Sequence, residues 1–232
     1  MARLVAPYLA LLEWRRRRYT YALMRVNPLS KLPACGLYAI SDGPRDDLLA
    51  ACGAALRGGA ALLQYRDKSR DAARRRAEAA ALKALCGQFS VALIINDDVE
   101  LAAALNCGVH LGEDDADPVA ARARLGDDAI IGVSCYDSIE RARRLASSGA
   151  DYLAFGAFFP SPTKPAARCA NPDLLKAARP LGLPLVAIGG ITPDNAPSLI
   201  DAGADFVAVI SGVFASADPQ AAAGRYAALF TK

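Results

Sequence analysis

The sequence predicts an α/β fold, a single-domain, closed (β/α)8 TIM barrel. Three observations predict it. Eight short apolar segments alternate with Ala/Arg/Leu-rich helical stretches, and no convincing ninth strand follows. The strand segments show little polar alternation, as expected of parallel strands buried on both faces. The chain has 232 residues and 53% hydrophobic content, enough for one large barrel core.

The elements follow in order. Gly36–Ser41 reads as the first strand, with a helix over about Arg45–Arg57. Ala61–Arg66 is the second strand, ahead of a helix over Arg70–Leu85. The third and fourth units pair Ala92–Asn96 with Val99–Leu105, and Val109–Leu111 with Pro118–Leu125. Ile130–Ser134 leads into Ser138–Ser147, and Tyr152–Gly156 precedes a helix at Pro172–Ala178. Leu185–Gly189 with Pro193–Asp201, and Phe206–Ile210 with Pro219–Leu229, complete the set. A weak repeat supports the series. Gly-Ala followed by an apolar strand recurs at Gly59, Gly149 and Gly203, with Gly108-Val109 as a near match. Each glycine follows a helical stretch, where a left-handed residue ends a helix at low cost.

Charge divides the chain. Residues 1–31 carry a net +6, including the Arg15–Arg18 run, and the remainder carries −3. Residues 1–33 are therefore set apart as a basic N-terminal extension, and 34–232 as the barrel. The extension has two readings: a flexible arm, or an upstream segment of a chain whose translation starts at Met24. The mildly acidic body gives no sign of a nucleic-acid-binding surface. Six scattered cysteines contain no Cys-x-x-Cys pair, so neither a disulfide framework nor a zinc site is indicated. No apolar run reaches the roughly 18 residues of a membrane span. A cytoplasmic setting is expected.

In such barrels the reactive groups sit at the C-terminal ends of the strands. The second strand ends in Gln64, Arg66 and Lys68, spaced two apart so that in a strand they share one face. The third ends in Asn96-Asp97-Asp98, and an acidic loop, Glu113-Asp114-Asp115, follows the fourth. Ser134 ends the fifth. Ser161-Pro162-Thr163-Lys164 follows the sixth, and Gly189-Gly190 and Ser211-Gly212 follow the seventh and eighth. Acids beside bases are either structural ion pairs or the makings of a Mg²⁺–pyrophosphate site, in which the metal takes one or two carboxylates and Arg/Lys neutralise the rest. The last glycines match the usual barrel phosphate cradle. The only histidine, His110, lies within a strand and reads as a packed, hydrogen-bonded residue. Asp67 is expected to orient Arg66, and Asp98 to cap the next helix. Ser134 and Ser211 alone read as ordinary strand-end hydroxyls.

Seven segments together resemble the thiamine phosphate synthase family: Gln64–Lys68, Ile95-Asn96-Asp97, Gly108–Gly112, Gly132-Val133-Ser134, Pro160–Lys164, Ala187–Ile191 and Val209-Ile210-Ser211. They occur in the family's order from Leu37 to Phe214. The resemblance implies a barrel that joins 4-amino-2-methyl-5-(diphosphooxymethyl)pyrimidine to 4-methyl-5-(2-phosphooxyethyl)thiazole, releasing pyrophosphate. It implies that Gln64, Arg66, Lys68, Asn96 and Ser134 hold the pyrimidine diphosphate. Asp97 and Asp115 fall on Mg²⁺ ligands, and Lys164 on a pyrophosphate-binding lysine. Ser161, Thr163, Gly190, Ile210 and Ser211 fall on the thiazole phosphate site. Arg66, Lys68 and Lys164 would stabilise the leaving group. The chain departs from the pattern in Tyr65, in Ser161 for threonine, and in a turn at Asn106-Cys107-Gly108 one residue shorter than usual. That shortening makes Asp114 the fallback for Asp115. Two rivals remain: a thiazole tautomerase and a non-catalytic phosphate-binding sensor barrel. The sequence leaves the oligomeric state open.

Overall fold

The computed structural model describes residues 32–160 and 169–231. The chain divides after Ala34, and Cys35–Lys232 forms the barrel. Residues 1–31 of the basic extension lie outside the described residues.

Eight parallel strands close on themselves in sequence order, each hydrogen-bonded to the next and the eighth to the first. They are β1 (Gly36–Ile40), β2 (Ala60–Tyr65), β3 (Ala92–Asn96), β4 (Gly108–Leu111), β5 (Ile131–Tyr136), β6 (Tyr152–Phe155), β7 (Leu185–Ile188) and β8 (Phe206–Val209). The intervening helices are α1 (Leu48–Arg57), α2 (Ala72–Gln88), α3 (Val99–Leu105), α4 (Pro118–Leu125), α5 (Ile139–Ala146), α6 (Asp173–Ala178) and α7 (Ala196–Ala202). After β8 come a one-turn helix, α8 (Ser211–Phe214), and α9 (Pro219–Ala227).

Strand alternation builds two cores. Leu37, Leu63 and Tyr65 face outward into the apolar layer shared with the helices. Tyr38, Leu62, Gln64, Tyr152 and Phe206 are equally buried but fill the barrel interior. Helix starts are capped as their sequences require: Asp71, Asp98, Asp117, Ser138 and Asp218 each accept a first-turn N–H.

The Gly-Ala repeat has a structural basis. Gly59, Gly149 and Gly203 have φ of 94°, 82° and 117°, a region in which a Cβ is unfavourable. In two repeats the next residue is an aspartate that ties the barrel floor. Asp151 accepts the Ile131 N–H (2.7 Å) and pairs with Arg122 (2.6 Å). Asp205 accepts the Leu185 N–H (2.8 Å) and pairs with Arg179 (2.6 Å). Gly108 does not share the helix-ending role. Asn106 takes the left-handed position there, at φ 52°. Gly108 is instead needed for space, since a Cβ would sit 2.6 Å from Ile94 Cδ1 and 2.8 Å from the Ile130 carbonyl.

Several expected boundaries shift. α1 begins at Leu48 rather than Arg45, because Arg45 forks across the preceding turn to Asp42 (2.8 Å) and Asp47 (2.6 Å). β2 ends at Tyr65, so of the polar triplet only Gln64 lies in regular strand. β5 runs on to Tyr136, through an irregularity in register between Ser134 and Tyr136.

Candidate active site

Among the described residues, the predicted ones lie at or just past the C-terminal ends of the strands. Gln64 points inward and is only 2% exposed. Arg66 follows the strand end, where its N–H donates to Ser41 Oγ (2.8 Å), tying the exits of β1 and β2 together. Asp67 does not orient Arg66. Its carboxylate is taken by Arg74 of α2 (2.7 Å) and by the Ser69 N–H (2.6 Å), which leaves Arg66 and Lys68 to other partners. Tyr65 points to the opposite face and donates its hydroxyl to Glu78 (2.6 Å).

The third strand delivers the most strained acid. Asp97 has φ 64°, and the Asp98 N–H returns to the Asn96 carbonyl at 2.8 Å. That is a γ-turn of the rare positive-φ kind, and such strain concentrates at functional sites. The turn aims Asp97 at Asp115, and the two carboxyl groups are within hydrogen-bonding reach. Asp115 is held in turn by the Gly112 N–H (2.5 Å). Asp115 therefore meets Asp97, whereas Asp114 lies exposed on the loop. Burial, and then the facing Asp115, push the Asp97 carboxyl up to about 6, while Lys68 pulls it down. A cavity of about 830 Å³ opens beside this pair, lined by Lys68, Asn96, Asp97, Arg75 and Arg124.

Two facing carboxylates, with the Asp97 proton affinity raised, are what a divalent cation relieves. Among the described residues no three His, Cys, Asp or Glu side chains form a complete metal cage. The donor set fits Mg²⁺, which commonly takes one or two carboxylates and fills its shell with phosphate oxygens and water.

The pH consequence has a definite sign. A carboxyl raised in the fold contributes stability below its unfolded value near ~4 and loses it as pH rises through about 6. His110 acts the other way, because burial lowers it to about 4. The comparison with Asp97→Asn isolates the carboxyl. In metal-free buffer the variant should melt above the parent at pH 7 and level with it at pH 4. An equal difference at both pH values would contradict the strained pair.

Across the barrel interior runs a chain of hydrogen bonds absent from the sequence reading. Gln64 Nε2 contacts Tyr38 Oη (2.8 Å), which contacts Tyr152 Oη (2.8 Å). Tyr152 Oη meets His110 Nδ1 (2.9 Å), and His110 Nε2 meets Ser134 Oγ (2.9 Å). The chain thus links two predicted pyrimidine-binding residues, Gln64 and Ser134. His110 is hydrogen-bonded at both ring nitrogens, as its strand position suggested. A signal existed in Tyr38 and Tyr152: buried hydroxyls in apolar strands need partners. Room for Tyr152 is made by Gly132, where a Cβ would lie 1.8 Å from the ring Cζ. Gly132→Ala should cost about 1–3 kcal/mol by overpacking. An unchanged urea midpoint would refute that packing.

On the far side, Gly190 has φ 62°, and a Cβ there would lie 2.5 Å from the Phe159 and Pro160 carbonyls. Only glycine lets the loops after β6 and β7 approach so closely. Ile210 and Ser211 form the entry to α8 beside it. Ser161, Thr163 and Lys164 lie outside the described residues.

A closed parallel barrel whose mouth sets the Asp97–Asp115 pair near Lys68, with the Gly190 turn across from it, belongs to the (β/α)8 enzyme class. Comparison with known proteins makes this specific. Residues 37–213 match the family model for thiamine monophosphate synthase, and the chain belongs to that family. It is 57% identical over 201 residues to thiamine-phosphate synthase of Xanthomonas campestris pv. campestris (strain 8004), covering 86% of this chain and 97% of that protein. The thiamine-phosphate synthase of Halorhodospira halophila is 53% identical over 204 residues, covering 86% and 97%. Thiamine phosphate pyrophosphorylase from Pyrococcus furiosus superposes with a TM-score of 0.77 at 31% identity, covering 88% of this chain and 97% of that one.

Proposed function

We propose that the chain joins 4-amino-2-methyl-5-(diphosphooxymethyl)pyrimidine to 4-methyl-5-(2-phosphooxyethyl)thiazole, giving thiamine phosphate and pyrophosphate. The observation that carries this reading is the Asp97–Asp115 pair facing Lys68 at the mouth of a barrel of this family.

The C–O bond to the diphosphate breaks with its electron pair leaving on pyrophosphate. The thiazole nitrogen then supplies a lone pair to the exposed methylene carbon. That nitrogen needs no deprotonation, so the protein's task is electrostatic rather than general-base catalysis. Arg66, Lys68 and Lys164 bind the diphosphate and stabilise its growing charge. Asp97 and Asp115 would hold Mg²⁺, which neutralises phosphate oxygens when bound. Gln64, Asn96 and Ser134 fix the pyrimidine, and Ser161, Thr163, Gly190, Ile210 and Ser211 receive the thiazole phosphate. Holding both substrates in line supplies the proximity contribution.

Among the described residues no helix is long and apolar enough to cross a membrane. Four buried cysteines, Cys52, Cys86, Cys107 and Cys135, accord with a cytoplasmic setting. The chemistry does not use the basic segment 1–33; a truncated chain beginning at Ala34 with unaltered kinetics would bear this out. Mixing the two substrates with Mg²⁺ tests the main reading. Thiamine phosphate and pyrophosphate should appear in equal amounts, and their absence from an otherwise folded sample would overturn it.

A further inference from the structure

Arg141 is a largely buried cation that the chemistry above leaves unused, yet it bridges two strand exits at the barrel mouth. It lies in the first turn of α5, and its side chain is only 14% exposed. Nε donates to the Ser134 carbonyl (2.7 Å), and Nη2 to the Gly112 carbonyl (3.2 Å). Nη1 lies 3.6 Å from Glu113 Oε1, and the guanidinium carbon sits 5.7 Å from the centre of the Tyr136 ring. Tyr136 completes the arrangement. It has φ 53°, just past the irregularity in β5, and its hydroxyl accepts the Glu113 N–H (3.2 Å).

The glycine between these groups is gripped from both sides. The Gly112 carbonyl is held by Arg141, and its N–H by the Asp115 carboxylate. A Cβ at Gly112 would lie 2.9 Å from Asp115 Oδ2 and 3.5 Å from the Tyr136 hydroxyl, so the loop closes tightly on its own acid. One planar fork therefore fixes the exit of β5 at Ser134 and the loop that presents Asp115. A lysine offers a point charge on a flexible stem and lacks the fixed fork that holds two carbonyls at once.

We propose that Arg141 is a positioning residue that sets the cation affinity of the Asp97–Asp115 pair by fixing the Gly112–Asp115 loop against β5. This rests on the reading that the pair holds Mg²⁺. The alternative is a tie that contributes only to folding stability.

The test uses the full chain, stripped of metal, with no pyrophosphate or substrate present. Mn²⁺ binding is followed by loss of the free-ion electron spin resonance signal. Arg141→Ala should weaken Mn²⁺ binding about tenfold or more, the range expected when a group orienting a ligand is lost. Methylguanidinium should restore part of the affinity, which a general loss of stability would not permit. The KM for thiazole phosphate should stay within about twofold of the parent. Arg141→Lys should show a smaller change in the same direction, and it decides the matter if the alanine variant does not fold. Mn²⁺ affinity within twofold of the parent in the folded variants, with Asp97→Ala abolishing binding, would overturn the proposal alone. Binding that survives Asp97→Ala would overturn the metal reading and this proposal together.

Discussion

Asp97→Ala should abolish turnover while leaving the barrel folded. The carboxylate stands at a strand end on a strained turn, opposite Asp115, and not in either apolar core. On the proposed reading its removal deletes one of the two carboxylates that would hold Mg²⁺ and relieves a repulsion, so the thermal midpoint should move by no more than a few degrees. Turnover should fall on the order of 10³-fold, equivalent to about 4 kcal/mol of transition-state stabilisation. Alanine cannot relax the positive φ, whereas asparagine tolerates that region better. Asp97→Asn should therefore be the more stable of two equally inactive variants. The check is kcat at saturating Mg²⁺ together with a melting curve. A near-normal rate in the folded alanine variant would remove Asp97 from the metal assignment.

Arg66→Ala should separate the two substrates. Arg66 leaves β2 beside Lys68, on the side of the mouth that carries Asn96 and Asp97, and its backbone is tied to Ser41 at 2.8 Å. The loops after β7 and β8, with Gly190 and Ser211, lie elsewhere on the rim. A guanidinium meeting a diphosphate makes paired charge-assisted hydrogen bonds, each roughly twice as strong as a neutral one. Its loss should raise the KM for the pyrimidine diphosphate at least about thirtyfold, roughly the 2 kcal/mol of one such bond. The KM for thiazole phosphate should change by less than about threefold. Because the proposed reading also has Arg66 stabilise the leaving group, kcat should fall as well. Measuring both KM values in one variant is decisive, since equal increases would mean that the two anions share one site.

The barrel was legible because its physics is local. Parallel strands buried on both faces read as apolar runs, and glycines that must take positive φ mark helix ends at Gly59, Gly149 and Gly203. The polar strand ends could be read because charge has no other reason to interrupt such runs. Ion pairing was less legible. Asp67 looked like the partner of its neighbour Arg66, but alternation and the start of α2 bring Arg74 to it from seven residues away. Two strained backbones, at Asp97 and Tyr136, are invisible in composition because nothing in those side chains demands positive φ. Arg141 sits in a helix with Arg143 and Arg144, three similar letters of which only tertiary position makes one a clamp. The contact between Tyr38 and Tyr152 spans 114 residues. No local pattern predicts which interior positions of different strands meet.

That interior chain has a sense as well as a path. With the Gln64 amide nitrogen donating to Tyr38, each hydroxyl has one proton left and can only pass it on. Tyr38 gives to Tyr152, and Tyr152 gives to His110 Nδ1. The imidazole must then carry its hydrogen on Nε2 and donate to Ser134, which frees the serine hydroxyl to donate onward. Turn the Gln64 amide over and every bond reverses: Ser134 then donates to His110 Nε2 and can only accept from a ligand. The five side chains behave as one reversible dipole across the barrel, so a ligand that fixes the polarity at Gln64 dictates the polarity it meets at Ser134.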